Sequence, residues 1–539
     1  MLVRIALIPL PLERDEGTYG YVAWRMSFGE VPYLDVFDHK PPVVFVLYWL
    51  AFKLFGISTV SIHLFGALYN VVTVVMSFVL VSRLYDRWTG LIAAAACALM
   101  SASPHYFGQS ANTELFMMLP LIVAALFVWQ ALRGAGSFGL AFLGGVAVGF
   151  AILTKHSAAP VALFLGVAII LQRGLLERRF STATYECCGL LAGCALPVLV
   201  VTAVFWYLGA LDAFYEAVIE YNLSYGGSGK MGAGISLLGK ILRRGLSSQI
   251  LFWGFGVVGI AFIVVRRTFA HWFLLGFLIA CALGVWMGLR FYPHYFLQLV
   301  PAWSAVFAVG VLDTCRQCRR LFKAPFRIAV YVLVGLVLVV FPLYKDRWLI
   351  FRPFTAYTVE RATRDIYPGQ PFDQSALVAE YLEETLSPVD RVFIVGSEPQ
   401  MSLLAGRASA TRYPYIYPLT QAGEASLRRQ QEVFAAIQRE TPACIAVVMY
   451  PRSLMMEPGA SQEFFENVSS LITTSYYLDA FTLDTVRGRV LVEGRTAVFA
   501  KSHLVPRRGQ VLLFRRRAPG DNFPDIRGKW HFAFVAPEE

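Results

Sequence analysis

Apolar segments of nearly membrane-spanning length recur through the first 345 residues, and they limit the folds open to this chain more than any other feature. A helix that crosses a bilayer needs about 20 predominantly apolar residues. The composition agrees, because 57% of the residues are hydrophobic, 15% are charged and the mean hydropathy is +0.56. We therefore expect a mainly α-helical polytopic membrane protein with about 11 transmembrane helices plus interfacial helices. The best candidates are 60–82, 88–103, 115–132, 138–154, 157–172, 188–208, 249–265, 271–289, 294–312 and 328–345.

Two other apolar runs are shorter. A helix over Met1 to Leu12 would extend about 18 Å, less than a hydrocarbon core of about 30 Å, so either the start is truncated or neighbouring helices support this one. The segment 41–56, PPVVFVLYWLAFKLFG, is also short and has Lys40 and Lys53 at its flanks. We expect 41–56 to lie in the membrane interface as an amphipathic helix.

Lysine and arginine gather in short clusters between the apolar segments, which explains the net charge of +11 without nucleic acid as a partner. We interpret them as contacts with membrane lipids and as signals of sidedness, because short cytoplasmic loops are rich in Lys and Arg. The loops assigned to the cytoplasm contain Arg83, Arg87, Arg133, Arg173, Arg178, Arg179, Arg266, Arg267, Arg316, Arg319, Arg320, Lys323 and Arg327. The outward side then holds the loop around Asp15, the loops 101–114 and 209–248, the turns at Lys155 and 288–296, and everything after about 346.

From about residue 346 the sequence becomes typical of a soluble α/β domain. Short β-rich runs occur at 391–396, 444–450, 494–501 and 509–517, with a helical stretch at 421–439. The predicted division is a transmembrane domain over 1–345 and an extracytoplasmic α/β domain over 346–539, long enough for a core of its own.

One glycine-rich stretch, SYGGSGKMGAG at 224–234, invites comparison with a nucleotide-binding loop. A Walker loop has Gly five residues before its Gly-Lys pair and Ser or Thr after it, whereas these positions hold Ser224 and Met231. The stretch fits a mobile external loop better, of the kind that closes over substrates.

Ionisable residues collect in the outward loops. They are Asp15 and Glu16, then Asp35, Asp38, His39 and Lys40 in DVFDHKPP, then Glu114 beside Asn112, and finally Arg290 and His294 beside Tyr295. Any one of them could simply anchor the chain at the interface, and Glu16 could pair with Arg14 or Arg25. Carboxylates and cations brought together from several loops of one face are harder to explain as anchors, so they indicate a functional site.

Three of these loops resemble a known superfamily. The segments are RDEGTYGYVAWRMSFGEVPYLDVFDHKPPVVFVLYWLAFKLFG, GQSANTELF and RFYPHYFLQLVP. They are similar to segments of bacterial GT-C glycosyltransferases of the family 39 type, which include protein O-mannosyltransferases and the lipid A aminoarabinose transferase. The DE after a first helix and the KPP about 25 residues later carry most of the resemblance. The C-terminal domain matches only loosely, through DRVFIVGSEPQ and ASATRYPY.

The resemblance implies a transferase at the inner (plasma) membrane with its active site on the extracytoplasmic side. Such an enzyme moves a sugar from a polyprenyl-phosphate donor to a protein, lipid or glycan acceptor, usually with inversion. Asp15 is the candidate base, Glu114 would orient the acceptor or a metal ion, and Glu16 would hold the loop. The candidates for binding the donor phosphate are Lys40, Arg290, His294, Tyr295 and His39, although His39 also fits a surface histidine.

Several alternatives stay open. A divalent metal ion with Asp15 and Glu114 as ligands is one, although no ligand spacing requires it and no other cofactor is expected. A transporter of lipid-linked sugars is another, but it would show internal repeats or charges at mid-membrane, whereas the charges here lie at helix ends. The third is a catalytically silent subunit with partners in a membrane complex.

Overall fold

The computed structural model describes residues 2–5, 7–227, 231–321, 359–485, 488–494 and 509–518, and these form two compact units. The first unit comprises Met1–Ile8, His39–Leu47 and Val60–Ala356, and the second comprises Pro9–Asp38, Tyr48–Thr59 and Tyr357–Glu539. The second unit therefore includes two N-terminal stretches that a division at residue 345 assigns to the transmembrane domain.

Helices dominate the chain up to residue 321. In chain order they are α1 (Leu2–Ile5), α2 (Arg14–Met26), α3 (Val43–Phe55), α4 (Thr59–Leu84), α5 (Arg87–Met100), α6 (Thr113–Arg133), α7 (Phe138–Thr154), α8 (Ala159–Ile169), α9 (Phe180–Tyr207), α10 (Leu211–Tyr215), α11 (Tyr221–Gly227), α12 (Met231–Ser248), α13 (Ile250–Arg266), α14 (Phe269–Trp286) and α15 (Val300–Leu321). Short 3-10 turns cover Pro104–Tyr106, His156–Ala158 and Pro293–Leu299, and π-helical turns cover Ile170–Leu176 and Glu216–Glu220.

Six helical stretches of the described residues are long and apolar enough to cross a membrane. They are Thr59–Leu84, Thr113–Arg133, His156–Leu176, Phe180–Tyr207, Phe269–Trp286 and Pro293–Arg320, and four shorter apolar helices are Val43–Phe55, Arg87–Met100, Phe138–Thr154 and Ile250–Arg266. These elements coincide with the predicted apolar segments up to 312, whereas the predicted segment 328–345 lies outside the described residues. The predicted class, a mainly helical polytopic membrane protein, is confirmed, with six stretches of spanning length among the described residues.

Local sequence explains where these helices begin and how closely they pack. Asp86 accepts hydrogen bonds from the backbone N–H groups of Trp88 and Thr89 at 2.9 and 3.0 Å, which satisfies donors left open at the start of α5. Between α7 and α9, a Cβ on Gly193 would collide with the Phe142 carbonyl, so glycine permits the close backbone approach common in membrane bundles.

Most of the described residues of 209–248 are helical rather than in a loop. They form α10, a π-helical turn, α11 and α12. In α12 the Ile241 side chain is buried whereas Ile235 and Leu242 are exposed, and the helix forms despite the low helix propensity of its glycines.

The C-terminal part of the second unit is an α/β domain, as predicted. Its helices are α16 (Val359–Ile366), α17 (Phe372–Thr385), α18 (Gln400–Ala405), α19 (Glu424–Glu440), α20 (Pro451–Leu454) and α21 (Glu463–Ser475). Its strands are β1 (Val392–Val395), β2 (Cys444–Val448), β3 (Tyr476–Thr485), β4 (Gly488–Glu493) and β5 (Val511–Arg516). The sheet order is β1-β2-β5-β3-β4, in which only β1 and β2 pair in parallel.

Three of the four predicted strands and the helix at 421–439 are present, whereas most of 494–501 lies outside the described residues. Strands β3 and β4 were not predicted, and their pairing places Asp484 opposite Arg489. Buried side chains of β1, β2, β5 and α17, including Ile394, Ala446, Leu513 and Leu382, form the core of this domain.

Candidate active site

The predicted catalytic pair Asp15 and Glu16 lies in the first turn of α2, in the second unit. Glu13 caps the helix: its side chain accepts from the Glu16 N–H at 3.3 Å, and the Glu16 carboxylate accepts from the Glu13 N–H at 3.2 Å. This reciprocal capping box fixes the helix start and uses the wholly buried Glu16 to do so. Arg14 and Arg25, the expected alternative partners of Glu16, have other carboxylate partners in Glu398 and Glu30.

Glu13 was not predicted as a site residue, although it completes a group of three carboxyls with Asp15 and Glu16. Burial and the nearby negative charges of Asp15 and Glu16 raise the pKa of Glu13 well above its usual range. Glu13 is therefore the member of this group disposed to hold a proton, while Asp15 is the more exposed neighbour. The sequence signal that could have identified Glu13 is the Glu-x-x-Glu spacing, which matches a capping box with Glu in place of Ser or Thr.

In the first unit, cations from separate segments gather around His39. Lys40 Nζ lies 2.8 Å from His39 Nε2, as expected for donation to a neutral imidazole. Burial lowers the pKa of His39 well below its usual range, and the positive charges of Lys40, Lys155 and Arg290 lower this pKa further. These cations come from the KPP segment, the end of α7 and the turn after α14, and the fold brings them within electrostatic reach of one ring.

Glu114 belongs to the same unit and lies in the first turn of α6, where its side chain is 1% exposed. It forms an ion pair with Lys155, and the Lys155 ammonium also lies 3.6 Å from the centre of the Tyr295 ring. The rings of His294 and Tyr295 pack edge to face, with their centres 4.9 Å apart. Lys155 was predicted only to lie in an outward turn, although a single lysine in the apolar stretch AILTKHSAAP was a usable signal.

The backbone around Arg290 is unusual. Leu289 and Phe291, on either side of it, have left-handed φ values of 49° and 48°. Such conformations cost about 1 to 3 kcal/mol each for residues with a Cβ, and they cluster at functional sites. The carbonyl of Leu289 approaches Gly234 of α12 so closely that a Cβ at Gly234 would collide with it. Residues 231–234, expected in a mobile external loop, are helical, and Gly234 packs against the Arg290 turn.

Asn112 is a further polar residue next to Glu114. Its side chain is completely buried, and neither amide atom has a hydrogen-bond partner among the described residues. It precedes α6 but gives no side-chain cap. Buried amides without partners generally bind water or a ligand, so Asn112 belongs with the candidate site.

The predicted metal site is not matched by a cluster of ligands among the described residues. Among the residues that the structure describes, no group of three His, Cys, Asp or Glu side chains is placed to hold a metal ion. The two carboxylates proposed as ligands belong to different units, Asp15 to the second and Glu114 to the first. A divalent ion at these residues stays a prediction.

Comparison with known proteins gives the class of this fold. Residues 39–208, less than half of the chain, match the family model described as dolichyl-phosphate-mannose-protein mannosyltransferase. The structure is similar to that of ArnT from Cupriavidus metallidurans bound to undecaprenyl phosphate, with a TM-score of 0.55 and 16% identity over 91% of this chain and 95% of that one. No curated protein matches the chain by sequence.

A second structure supports the same class. The Archaeoglobus fulgidus oligosaccharyltransferase, tethered to an acceptor peptide that contains the NVT sequon, matches with a TM-score of 0.52 and 13% identity, over 92% of this chain and 73% of that one. At these identities the similarity establishes the fold. The chain therefore has the GT-C glycosyltransferase fold, and the resemblance predicted from the sequence is confirmed. Fold and family match together support a membrane glycosyltransferase.

Proposed function

We propose that this protein transfers a sugar from a polyprenyl-phosphate donor to an acceptor on the extracytoplasmic face of the plasma membrane, with inversion at the sugar carbon. The observation that carries the proposal is the group of Lys40, Lys155 and Arg290 around His39. These cations outnumber the carboxylate of Glu114, which pairs with Lys155. A positively charged group of this kind suits the phosphate of a lipid-linked donor, because cations form strong charge-assisted hydrogen bonds with phosphate oxygens.

The cations also suit the chemistry of the leaving group. When the bond between the sugar carbon and the phosphate oxygen breaks, negative charge grows on the polyprenyl phosphate, and fixed cations stabilise that charge. Lys40 and Arg290 have this role in the proposal, with hydrogen bonds from His294 and Tyr295. A neutral His39 accepts from Lys40 and holds its ammonium in place.

Asp15 is the proposed base. The acceptor hydroxyl loses a proton as it attacks the sugar carbon, and a positioned carboxylate typically accelerates such a step by about 10² to 10⁴-fold. Asp15 is partly exposed in the first turn of α2, while Glu16 is occupied by the capping box. Glu114, held by Lys155, orients the acceptor in this proposal.

Sidedness follows from the arginine clusters and is tested by cysteine labelling. Single cysteines at position 15 and at position 389, where Val389 is exposed in the C-terminal domain, should react with an impermeant reagent from outside, and cysteines at positions 179 and 319 only from the cytoplasm. Labelling of position 389 from the cytoplasm would reverse the assignment.

The function is tested with purified protein in lipid vesicles, supplied with the lipid-linked sugar pool of the source membrane. We expect the sugar to leave its lipid carrier and appear on a protein, lipid or glycan acceptor, and Lys40→Ala to suppress this transfer. A transporter would move the lipid-linked sugar across the vesicle without cleaving it, and a silent subunit would do neither. Parallel assays with and without EDTA decide whether a divalent ion takes part.

A further inference from the structure

Two segments of the C-terminal domain hold the N-terminal stretch that carries Asp15. We call residues 397–400 and 409–413 the first-loop clamp. The first segment follows β1, where the Ser397 carbonyl accepts from Arg14 Nε at 2.7 Å and Glu398 Oε1 lies 3.0 Å from Arg14 Nη2. Both segments belong to DRVFIVGSEPQ and ASATRYPY, the motifs that resemble the glycosyltransferases only loosely.

Glu398 is itself rigidly held. Its side chain is 0% exposed, and its carboxylate accepts from the Ser397 N–H at 2.9 Å and from the Ser453 hydroxyl. A buried carboxylate is strongly destabilising unless a cation and hydrogen bonds compensate it, and Arg14 is the cation here. The position of Arg14, one residue before Asp15, is therefore determined by a fixed group of the C-terminal domain.

The next turn of α2 packs equally tightly on the clamp. A Cβ at Gly17 would lie 2.8 Å from the Gln400 backbone nitrogen and 2.9 Å from its Cβ. No larger residue fits there unless α2 moves away from α18. Gly17, the first glycine in RDEGTYGY, thus sets how closely the helix start approaches the clamp.

The second clamp segment holds the far part of the same stretch. The Tyr21 hydroxyl accepts from the Ser409 N–H at 2.8 Å, and the Phe37 N–H donates to the Arg412 carbonyl at 2.7 Å. The Phe37 ring also contacts Tyr413, with ring centres 5.0 Å apart. Residues 14–37 are therefore attached to the C-terminal domain at both ends.

We propose that the first-loop clamp is part of the catalytic apparatus, with Arg14 and Glu398 as positioning residues that hold Asp15 where it can accept the acceptor proton. This inference rests on the proposed function, because it assigns Asp15 as the base. A base acts only within hydrogen-bond reach, and a displacement of about 1 Å can cost about 10²-fold in rate. The clamp supplies this precision through one buried ion pair and one glycine contact.

The test compares Arg14→Met with a matched variant elsewhere in the domain. Arg489 pairs with Asp373, and the exposures of that pair, 12% and 2%, resemble the 16% and 0% of Arg14 and Glu398. Turnover is measured per donor-binding site, counted by titration with radiolabelled polyprenyl phosphate. We expect Arg14→Met to lower kcat by about tenfold to 10²-fold without changing the KM for the donor. Arg489→Met should reduce stability but keep kcat.

Gly17→Ala and Glu398→Gln cover the case in which Arg14→Met fails to fold, and each should lower kcat in the same assay. Arg14→Lys keeps the positive charge and should lower kcat less than Arg14→Met does. Unchanged kcat per donor-binding site in the folded variants overturns the positioning role.

A double variant separates this inference from the function on which it rests. Arg14→Met with Asp15→Asn should be no slower than Asp15→Asn alone, because Arg14 acts through Asp15. If the fold losses in transfer rate of the two single variants multiply in the double variant, the positioning role of Arg14 is contradicted and Asp15 remains the base. If Asp15→Asn alone keeps native turnover, the proposed base is wrong, whatever Arg14 does.

Discussion

The cation group of the first unit and the acidic helix start of the second differ in how they are built. Lys40, Lys155 and Arg290 come from segments far apart in the chain, whereas Glu13, Asp15 and Glu16 lie within one helical turn. The acidic group is stabilised locally, by a capping box and a helix N-terminus. The cation group depends on the whole helical unit. A binding site for a charged donor thus requires the whole helical unit, whereas the helix start that carries the proposed base forms from local sequence and takes its position from the first-loop clamp.

The largest effect on stability is expected when the cation that pairs with Glu114 is removed from the first unit. Lys155→Met leaves a buried carboxylate without its partner, and we expect a loss of about 3 to 5 kcal/mol in the free energy of unfolding. Denaturant unfolding in detergent measures it. Adding Glu114→Gln should recover most of the loss, since no buried charge then lacks a counter-ion. Unchanged stability in Lys155→Met alone would show that the ion pair is not part of the fold.

The donor-binding role of the cation group predicts a somewhat smaller effect. Lys40→Ala and Arg290→Ala should each weaken binding of the polyprenyl-phosphate donor by about 1.5 to 3 kcal/mol, typical of a lost charge-assisted hydrogen bond. Equilibrium binding to purified protein measures this loss. Arg267→Ala is the control, because Arg267 is exposed and, among the described residues, its side chain donates to the Val264 carbonyl of its own helix. If both variants bind the donor as the wild type does, the phosphate site lies elsewhere.

The lowered pKa of His39 predicts that the stability of the fold depends on pH. Because its pKa is lowered in the folded protein, the unfolded chain binds the proton more readily, and His39 destabilises the fold as pH falls below about 6.5. The loss should reach at most about 1.4 kcal/mol per pH unit. His39→Gln keeps an acceptor for Lys40 but cannot titrate, so its unfolding free energy should depend less on pH between 5.5 and 7.5. Identical slopes would contradict a neutral His39 among the cations.

The smallest effect is expected at Glu16. Glutamine at this position can still accept from the Glu13 N–H, so Glu16→Gln should keep the capping box and lose less than about 1 kcal/mol of stability. Its transfer rate should stay much closer to that of the wild type than the rate of Asp15→Asn. A loss in rate as large as that of Asp15→Asn would give Glu16 a chemical role.

Much of the fold was predictable because apolar segments of spanning length have few alternatives in a membrane. The helix α12 was missed because its glycines and basic residues resemble a loop. Strand β3 was missed because Asp479 and Asp484 interrupt its apolar run, although they pair with Arg515 and Arg489 in the structure.

The candidate site was predictable only in part. Lys40, Glu114, Arg290, His294 and Tyr295 were predicted through the resemblance, and the fold places them in one unit. Lys155 was not assigned to the site because its role depends on the carboxylate of Glu114, 41 residues away in the chain, although its position in an apolar stretch was a usable signal. The left-handed backbone around Arg290 leaves no mark in the sequence, because Leu289 and Phe291 are residues that rarely adopt it. Such strain is maintained by tertiary contacts.

The most direct test of the account is a single-turnover transfer measurement on Asp15→Asn with bound polyprenyl-phosphate sugar. Asparagine keeps the size of the side chain and much of its hydrogen bonding but cannot accept the acceptor proton. We expect normal expression and donor binding, with transfer slower by about 10²-fold or more. Near-native transfer by Asp15→Asn would contradict the assignment of Asp15 as the base and leave that role to Glu114 or Glu16.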